Sequence, residues 1–97
     1  VVIGSSFVDL LCYVSRIPKP GETIKGDGFK IDFGGKAANQ CVMAAKLGAR
    51  TAMVAMLGRD QFGEDTVKNF VKHRINTDHI LFTDKASTGM TSIGKNI

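Results

Sequence analysis

No apolar run in this 97-residue chain approaches the roughly 20 residues that a membrane-crossing helix needs, which excludes a helical membrane protein. Cysteine is scarce. Cys12 and Cys41 have no C-x-x-C neighbour and stand at no ligand spacing from His73 or His79. A disulfide scaffold is therefore excluded and no metal site is expected. Each cysteine lies in an apolar stretch and reads as a small buried hydrophobe. Two prolines, 11 glycines and no low-complexity tract rule out collagen-like and disordered classes. Internal repeats are absent as well. Lys and Arg number 13 against 9 acidic residues, a net charge of +4, but no five or six cations cluster and no aromatic-rich RNA motif occurs. Nucleic acid is therefore not the expected partner. The excess reads as a solvated surface with a mild attraction for anionic substrates.

What is present is an ordinary globular composition, 43% hydrophobic and 23% charged, in a length that allows one domain. The chain starts on the apolar run at Val1, without Met or a leader, and stops on Lys95-Asn96-Ile97. This reads as a piece of something longer. The cytosol is the default address, with the nucleus as a second.

Val1-Val2-Ile3 is a β-branched run closed by Gly4-Ser5-Ser6, a buried strand and its turn. Leu10 to Val14 is apolar again and stops at a loop containing Pro18, Pro20 and Gly21. Thr23–Gly26 and Phe29–Phe33 alternate apolar and polar residues, as strands with one wet face do, with Asp27-Gly28 as the turn between them. From Ala37 to Leu47 the alanines predict a helix, with Gly48 just past its end. Thr51–Leu57 is a buried strand. A second helix, capped by Asp60 or a neighbour, runs to about Arg74 with Val67, Phe70 and Val71 as its apolar stripe. His79–Phe82 and Thr88–Ile93 complete the strands. Met43, Met53, Met56 and Met90 read as core filler. The strand–helix–strand–helix–strand order predicts a parallel sheet with right-handed crossovers, and the alternating strands form a separate antiparallel flap.

Ligands in open α/β sheets bind beyond the carboxyl ends of the strands. Asp9, just past the first strand, and Gly34-Gly35-Lys36-Ala37-Ala38-Asn39, at the first helix entrance, fall there. Paired glycines let a ligand approach the backbone. Open N–H groups at a helix start attract oxygens. Asp9 accepts hydroxyl hydrogens, while Lys36 and Asn39 donate. These groups suit a polyhydroxyl ligand; a plain strand-to-helix turn with solvated polar residues is the alternative. Neither a Walker A nor a G-x-G-x-x-G pattern occurs, so a nucleotide is not placed here. Gly58-Arg59-Asp60 and Gly63-Glu64 read as turn and capping chemistry, and Thr88 as a weak candidate.

Gly34-Gly35-Lys36-Ala37-Ala38-Asn39-Gln40, then Leu47-Gly48-Ala49, Gly58, Asp60 and Phe62-Gly63, preceded by Pro20-Gly21-Glu22-Thr23 and followed by Thr88-Gly89, resembles the amino-terminal signature of the ribokinase-like (PfkB) carbohydrate kinases. Within it, Gly-Gly-Lys before Asn-Gln is most similar to the ribokinase branch. The resemblance implies a three-layer α/β/α fold with a Rossmann-like parallel sheet, of which residues 1–97 are the amino-terminal part. It also implies a small β lid, made by strands in about 10–33 and 88–93, that forms a homodimer contact. The implied reaction is ATP-dependent phosphorylation of D-ribose at O5, with Mg²⁺ and activation by K⁺. Ribose contacts carry over onto Asp9, Gly35, Lys36 and Asn39, with Ala37 and Ala38 between them.

Three departures qualify this expectation. Ala37 stands where the family usually has glycine, so its methyl is expected to weaken sugar binding. Gly94 follows Ile93 directly, where family members first complete a hairpin. The Gly-Ala-Gly-Asp signature that supplies the general base does not occur in these 97 residues, and ATP, Mg²⁺ and K⁺ are expected to bind mainly outside them. The chain alone is therefore expected to be inactive. Two further readings stand beside a kinase amino-terminal part. One is a non-catalytic product that binds sugar weakly or pairs with a full-length subunit through lid strands. The other is a different sugar or nucleoside kinase of the same family.

Overall fold

The computed structural model describes residues 1–96. Its elements are β1 (Val2–Ile3), β2 (Phe7–Val14), β3 (Gly28–Gly34), α1 (Lys36–Lys46), β4 (Met53–Gly58), α2 (Gln61–Lys72), β5 (Ile80–Thr83) and β6 (Met90–Asn96). They build two sheets. The core sheet, in order β1-β4-β5, is wholly parallel, with Val2 opposite Met53 and Ala55 opposite Ile80. Both crossovers step the same way along it, and right-handed connections then place α1 and α2 on one face. Alternation in β4 follows: Met53, Ala55 and Leu57 are buried against the helices with Ala38, Cys41 and Phe70, while Met56 points the other way. That second face, with Ile3, Met56 and Leu81 exposed, carries no helix among the described residues.

The lid is the second sheet, in order β3-β2-β6, and it is mixed rather than antiparallel. β2 pairs antiparallel with β3 and parallel with β6. Topology is the reason. β2 continues out of β1 and β6 continues out of β5, so both leave the carboxyl ends of parallel core strands and run the same way. β3 returns toward the core.

Thr23–Gly26 is not a strand. The segment leaves a Pro20–Gly21 turn and meets the lid at Asp27, whose N–H donates to the Tyr13 carbonyl at 2.7 Å. Asp9 lies inside β2 rather than past β1. Cys12 is exposed, on the lid away from the core. Met43, Met56, Met90 and Val71 are likewise exposed; of the four methionines, Met53 alone is core. Gly94 extends β6, pairing with Cys12, and forms no turn. Ile97 lies outside the described residues.

Both helices end in the same motif. After α1, Gly48 N–H donates to Ala45 O and Ala49 N–H to Ala44 O; after α2, Arg74 N–H donates to Val71 O and Ile75 N–H to Phe70 O. The left-handed residue is Gly48 in the first (φ 95°) and Arg74 in the second (φ 60°). A Cβ is unfavourable there, so Arg74→Gly is expected to raise stability by about 0.5–1 kcal/mol. Urea unfolding measures it, and a lower midpoint in the variant would contradict the cost assigned to this backbone.

Candidate functional site

The chain passes between core and lid at Gly4-Ser5-Ser6, at Gly34-Gly35 and at residues 84–89. The first two passages touch. Gly35 has φ 98°, and a Cβ on it would stand 2.6 Å from the Ser5 carbonyl oxygen. That carbonyl accepts the N–H of Ala38 at 3.1 Å, which ties the first turn of α1 to the end of β1. Gly35 occupies the N-cap without a side chain, so the N–H groups of Lys36 and Ala37 have no protein acceptor among the described residues.

Asp9 approaches from the lid. It is half-buried, and a Cβ on Gly34 would collide with its carboxylate, which sets that carboxylate against the helix entrance. The carboxylate has no hydrogen bond or ion pair with any described residue. Its cross-strand neighbour Asp32 pairs with Lys30 at 3.4 Å and accepts the Phe33 N–H. Lys36 and Asn39 are exposed and outside every ion pair described. A carboxylate acceptor and two open backbone donors thus lie at one glycine-lined passage, with the exposed Lys36 and Asn39 on the first turn of the helix that leaves it. The arrangement can hold vicinal hydroxyls; it contains no general base poised on a nucleophile.

Ala37 is half-buried at the start of α1. Its Cβ lies where a Cβ on Gly4 would be 2.7 Å away, and it packs on the core. The methyl is turned toward β1 and is accommodated by the missing side chain of Gly4. Ala38 is buried in the core and acts through its backbone.

Beside this passage, between α1 and α2, is a cleft of about 310 Å³. It takes in Ala38 and Asn39 but not Asp9, Gly35, Lys36 or Ala37, and adds Ser6, Asp32, Asn69 and His73. None of those four stood out in the sequence. The signal that would have found Asp32 is its register opposite Asp9, which depends on strand pairing.

The Thr88 hydroxyl is engaged within the protein. The residue is buried; its hydroxyl donates to Asp60 Oδ1 at 2.7 Å and accepts the Gly58 N–H at 3.0 Å, and its own N–H donates to Asp60 Oδ2 at 2.8 Å. Asp60 also caps α2 by accepting the Gly63 N–H at 2.8 Å. These donors, the Thr88 N–H first and its hydroxyl next, hold the Asp60 carboxyl below the usual carboxylate range.

The model of the pfkB family carbohydrate kinases matches residues 1–95. The chain belongs to that family. It is 50% identical over 93 residues to the ribokinase of Mus musculus, covering 96% of this chain and 29% of that protein. It is 42% identical over 92 residues to a deoxyribokinase of Salmonella typhi, covering 95% of this chain and 30% of that one. Among solved structures it is similar to Arabidopsis thaliana ribokinase complexed with ribose and ATP, with a TM-score of 0.89, 30% identity, and coverage of 98% of this chain and 31% of that chain. The chain thus spans about three-tenths of the length of the curated relatives it matches. The ribokinase-like fold read from the sequence is shown: a parallel core sheet with helices and a small lid, present in part.

Proposed function

We propose that this chain is the sugar-binding, amino-terminal part of a single kinase domain that phosphorylates D-ribose. The observation that carries the reading is the free, half-buried Asp9 carboxylate beside Gly34, next to the helix entrance where the Lys36 and Ala37 N–H groups are open, in a chain half identical to a ribokinase. In it Asp9 accepts from two ribose hydroxyls, Gly35 allows the sugar to reach the backbone, and Lys36 and Asn39 donate to hydroxyl or ring oxygens. Ala37 contributes its N–H and Ala38 fixes the turn. ATP supplies the γ-phosphoryl group when bound. No three metal-ligating side chains converge among the described residues. In this reading Mg²⁺ and K⁺, like ATP, are held mainly by the rest of the domain.

Phe29, Ile31 and Met90 are exposed on one lid face, where they pair in register with Cys12, Leu10 and Val8. That face supports the homodimer contact of the complete protein. The deoxyribokinase relative favours a second reading, in which the acceptor is a 2-deoxypentose.

Calorimetric titration of the 97-residue chain with D-ribose, 2-deoxyribose and fructose separates these. Ribose is expected to bind best, and Asp9→Asn to weaken it about tenfold or more, the scale of a charge-assisted hydrogen bond. Tighter binding of 2-deoxyribose moves the assignment to the second reading. No binding of any sugar, or Asp9→Asn binding as well as the parent, removes the site. Ribose-dependent ADP formation is expected to be absent from this chain alone.

A further inference from the structure

The sugar reading leaves the cleft of about 310 Å³ between α1 and α2 without a role. Its floor is Ala38 and Phe70, both buried, and Phe33 and Val42 flank it. Ser6 opens into it. This residue is only 7% exposed, and its hydroxyl has no hydrogen bond with any described residue. Yet the hydroxyl is not sealed, since Thr51 Oγ1 is the one fully buried side-chain polar atom without a partner among the described residues. The cleft that Ser6 lines is its opening. Direction agrees. Phe7 and Asp9 point to one lid face, Val8 and its register partner Phe33 to the other, and Ser6, directly before Phe7, continues the second.

Two polar side chains meet the cleft from α2. Asn69 and His73 are half-buried and one helical turn apart. His73 Nδ1 lies 2.8 Å from the Asn69 carbonyl oxygen. A carbonyl only accepts, so Nδ1 carries the proton and Nε2 of the neutral ring is left as an acceptor. The Asn69 side-chain amide has no partner among the described residues. The surface left for the rest of the domain to cover is the bare sheet face with Ile3, Met56 and Leu81, on the other side of the core sheet.

We propose that the cleft binds a small planar nitrogen heterocycle of the nucleobase class, its ring against Phe33 and Phe70 and its edge on Ser6, Asn69 and His73. Size selects the class: at about 30 Å³ per heavy atom the cleft holds about ten, a bicyclic base. Chemistry agrees. Hydroxyl, amide and imidazole offer donors and acceptors without net charge, and the Asp32 carboxylate is engaged by Lys30 and the Phe33 N–H. Aromatic walls suit a flat ring. The proposal is independent of the sugar reading, whose carboxylate, Asp9, lies on the other lid face.

Calorimetric titration of the 97-residue chain with adenine tests this. Saturable binding is expected, about tenfold weaker in Asn69→Leu and in His73→Phe. Ser6→Ala loses no bond within the protein. It is expected to melt no lower than the parent and to bind adenine about threefold more weakly, which separates loss of ligand from loss of fold. D-ribose is expected not to displace adenine. AMP is the second ligand: tighter binding than adenine, lost in Lys46→Gln at the mouth of the cleft, assigns a nucleotide, and equal binding assigns the free base. Absence of adenine binding, its displacement by ribose, or full affinity in the Ser6→Ala, Asn69→Leu double variant overturns the proposal.

Discussion

Gly35→Ala is expected to abolish the cooperative thermal transition of the chain. Two penalties add at this residue. Its backbone, at φ 98° and ψ 134°, lies in a region that L side chains rarely adopt, which costs about 1–3 kcal/mol. Its Cβ would also meet backbone, with Ser5 O at 2.6 Å and Ser6 Cα at 2.9 Å, and backbone cannot swing aside as a side-chain tip does. Overpacking of that kind adds about 1–3 kcal/mol. The carbonyl that must move is the one accepting the Ala38 N–H, so the link from β1 to α1 is lost with it. Domains are stable by only about 5–15 kcal/mol, and here one face of the core sheet is left uncovered by the described residues. Gly48→Ala is the matched control: φ is 95°, yet no atom lies within 4 Å of the added Cβ, so it is expected to cost only about 1–2 kcal/mol. Circular dichroism melts compare the two. A Gly35→Ala chain melting cooperatively within a few degrees of Gly48→Ala would show that the Ser5 contact does not constrain the fold.

That contact also marks the limit of what the sequence makes legible. The helix entrance is readable because paired glycines ahead of an alanine-rich stretch have a local cause. The same holds for Gly48 and for the Asp60 cap, both of which act within a few residues of themselves. Strand order in the core sheet follows from the βαβ alternation and the handedness of crossovers. What local pattern does not carry is which strand lies beside which in the lid. Phe29–Phe33 and Thr23–Gly26 alternate equally well, yet only the first reaches a partner, and β6 joins parallel because of where β5 ends. The face of Cys12 and the exposure of Met43, Met56 and Met90 depend on what is stacked on each surface, which hydrophobicity does not specify. The candidate site divides the same way. Lys36 and Asn39 are legible from the motif, Asp32 only from register, and the inward turn of Ala37 only from Gly4.

Thr88→Val is the second large effect expected, about 1–3 kcal/mol from the orphaned donor alone. The substitution keeps the volume and removes a hydroxyl that accepts the buried Gly58 N–H at 3.0 Å and donates to Asp60 Oδ1 at 2.7 Å. No water can replace it readily, since the second methyl of valine takes the place of the hydroxyl. The consequence is directional. Thr88 sits one residue before Gly89, whose carbonyl accepts the Val8 N–H at 3.0 Å, so the clamp holds the start of β6 and, through it, β2 to the turn after β4. Amide exchange is therefore expected to accelerate in β2 and β6 more than at Met53–Leu57. Acid adds an independent reading. The folded Asp60 carboxyl is held below its ordinary value by the Thr88 N–H, then the Thr88 hydroxyl, then the Gly63 N–H. A depressed carboxyl contributes its stability in full above the unfolded value, near pH 3.9, and loses it as pH falls through the folded one. The parent should therefore lose stability below about pH 4, with a smaller share from the exposed Glu22 paired to Arg16. Thr88→Val leaves Glu22 untouched and removes one of the donors on Asp60, so its urea midpoint should fall less steeply with acid than the parent's. Parallel acid limbs in the two proteins would mean that the Asp60–Thr88 side-chain bond contributes nothing to holding the lid.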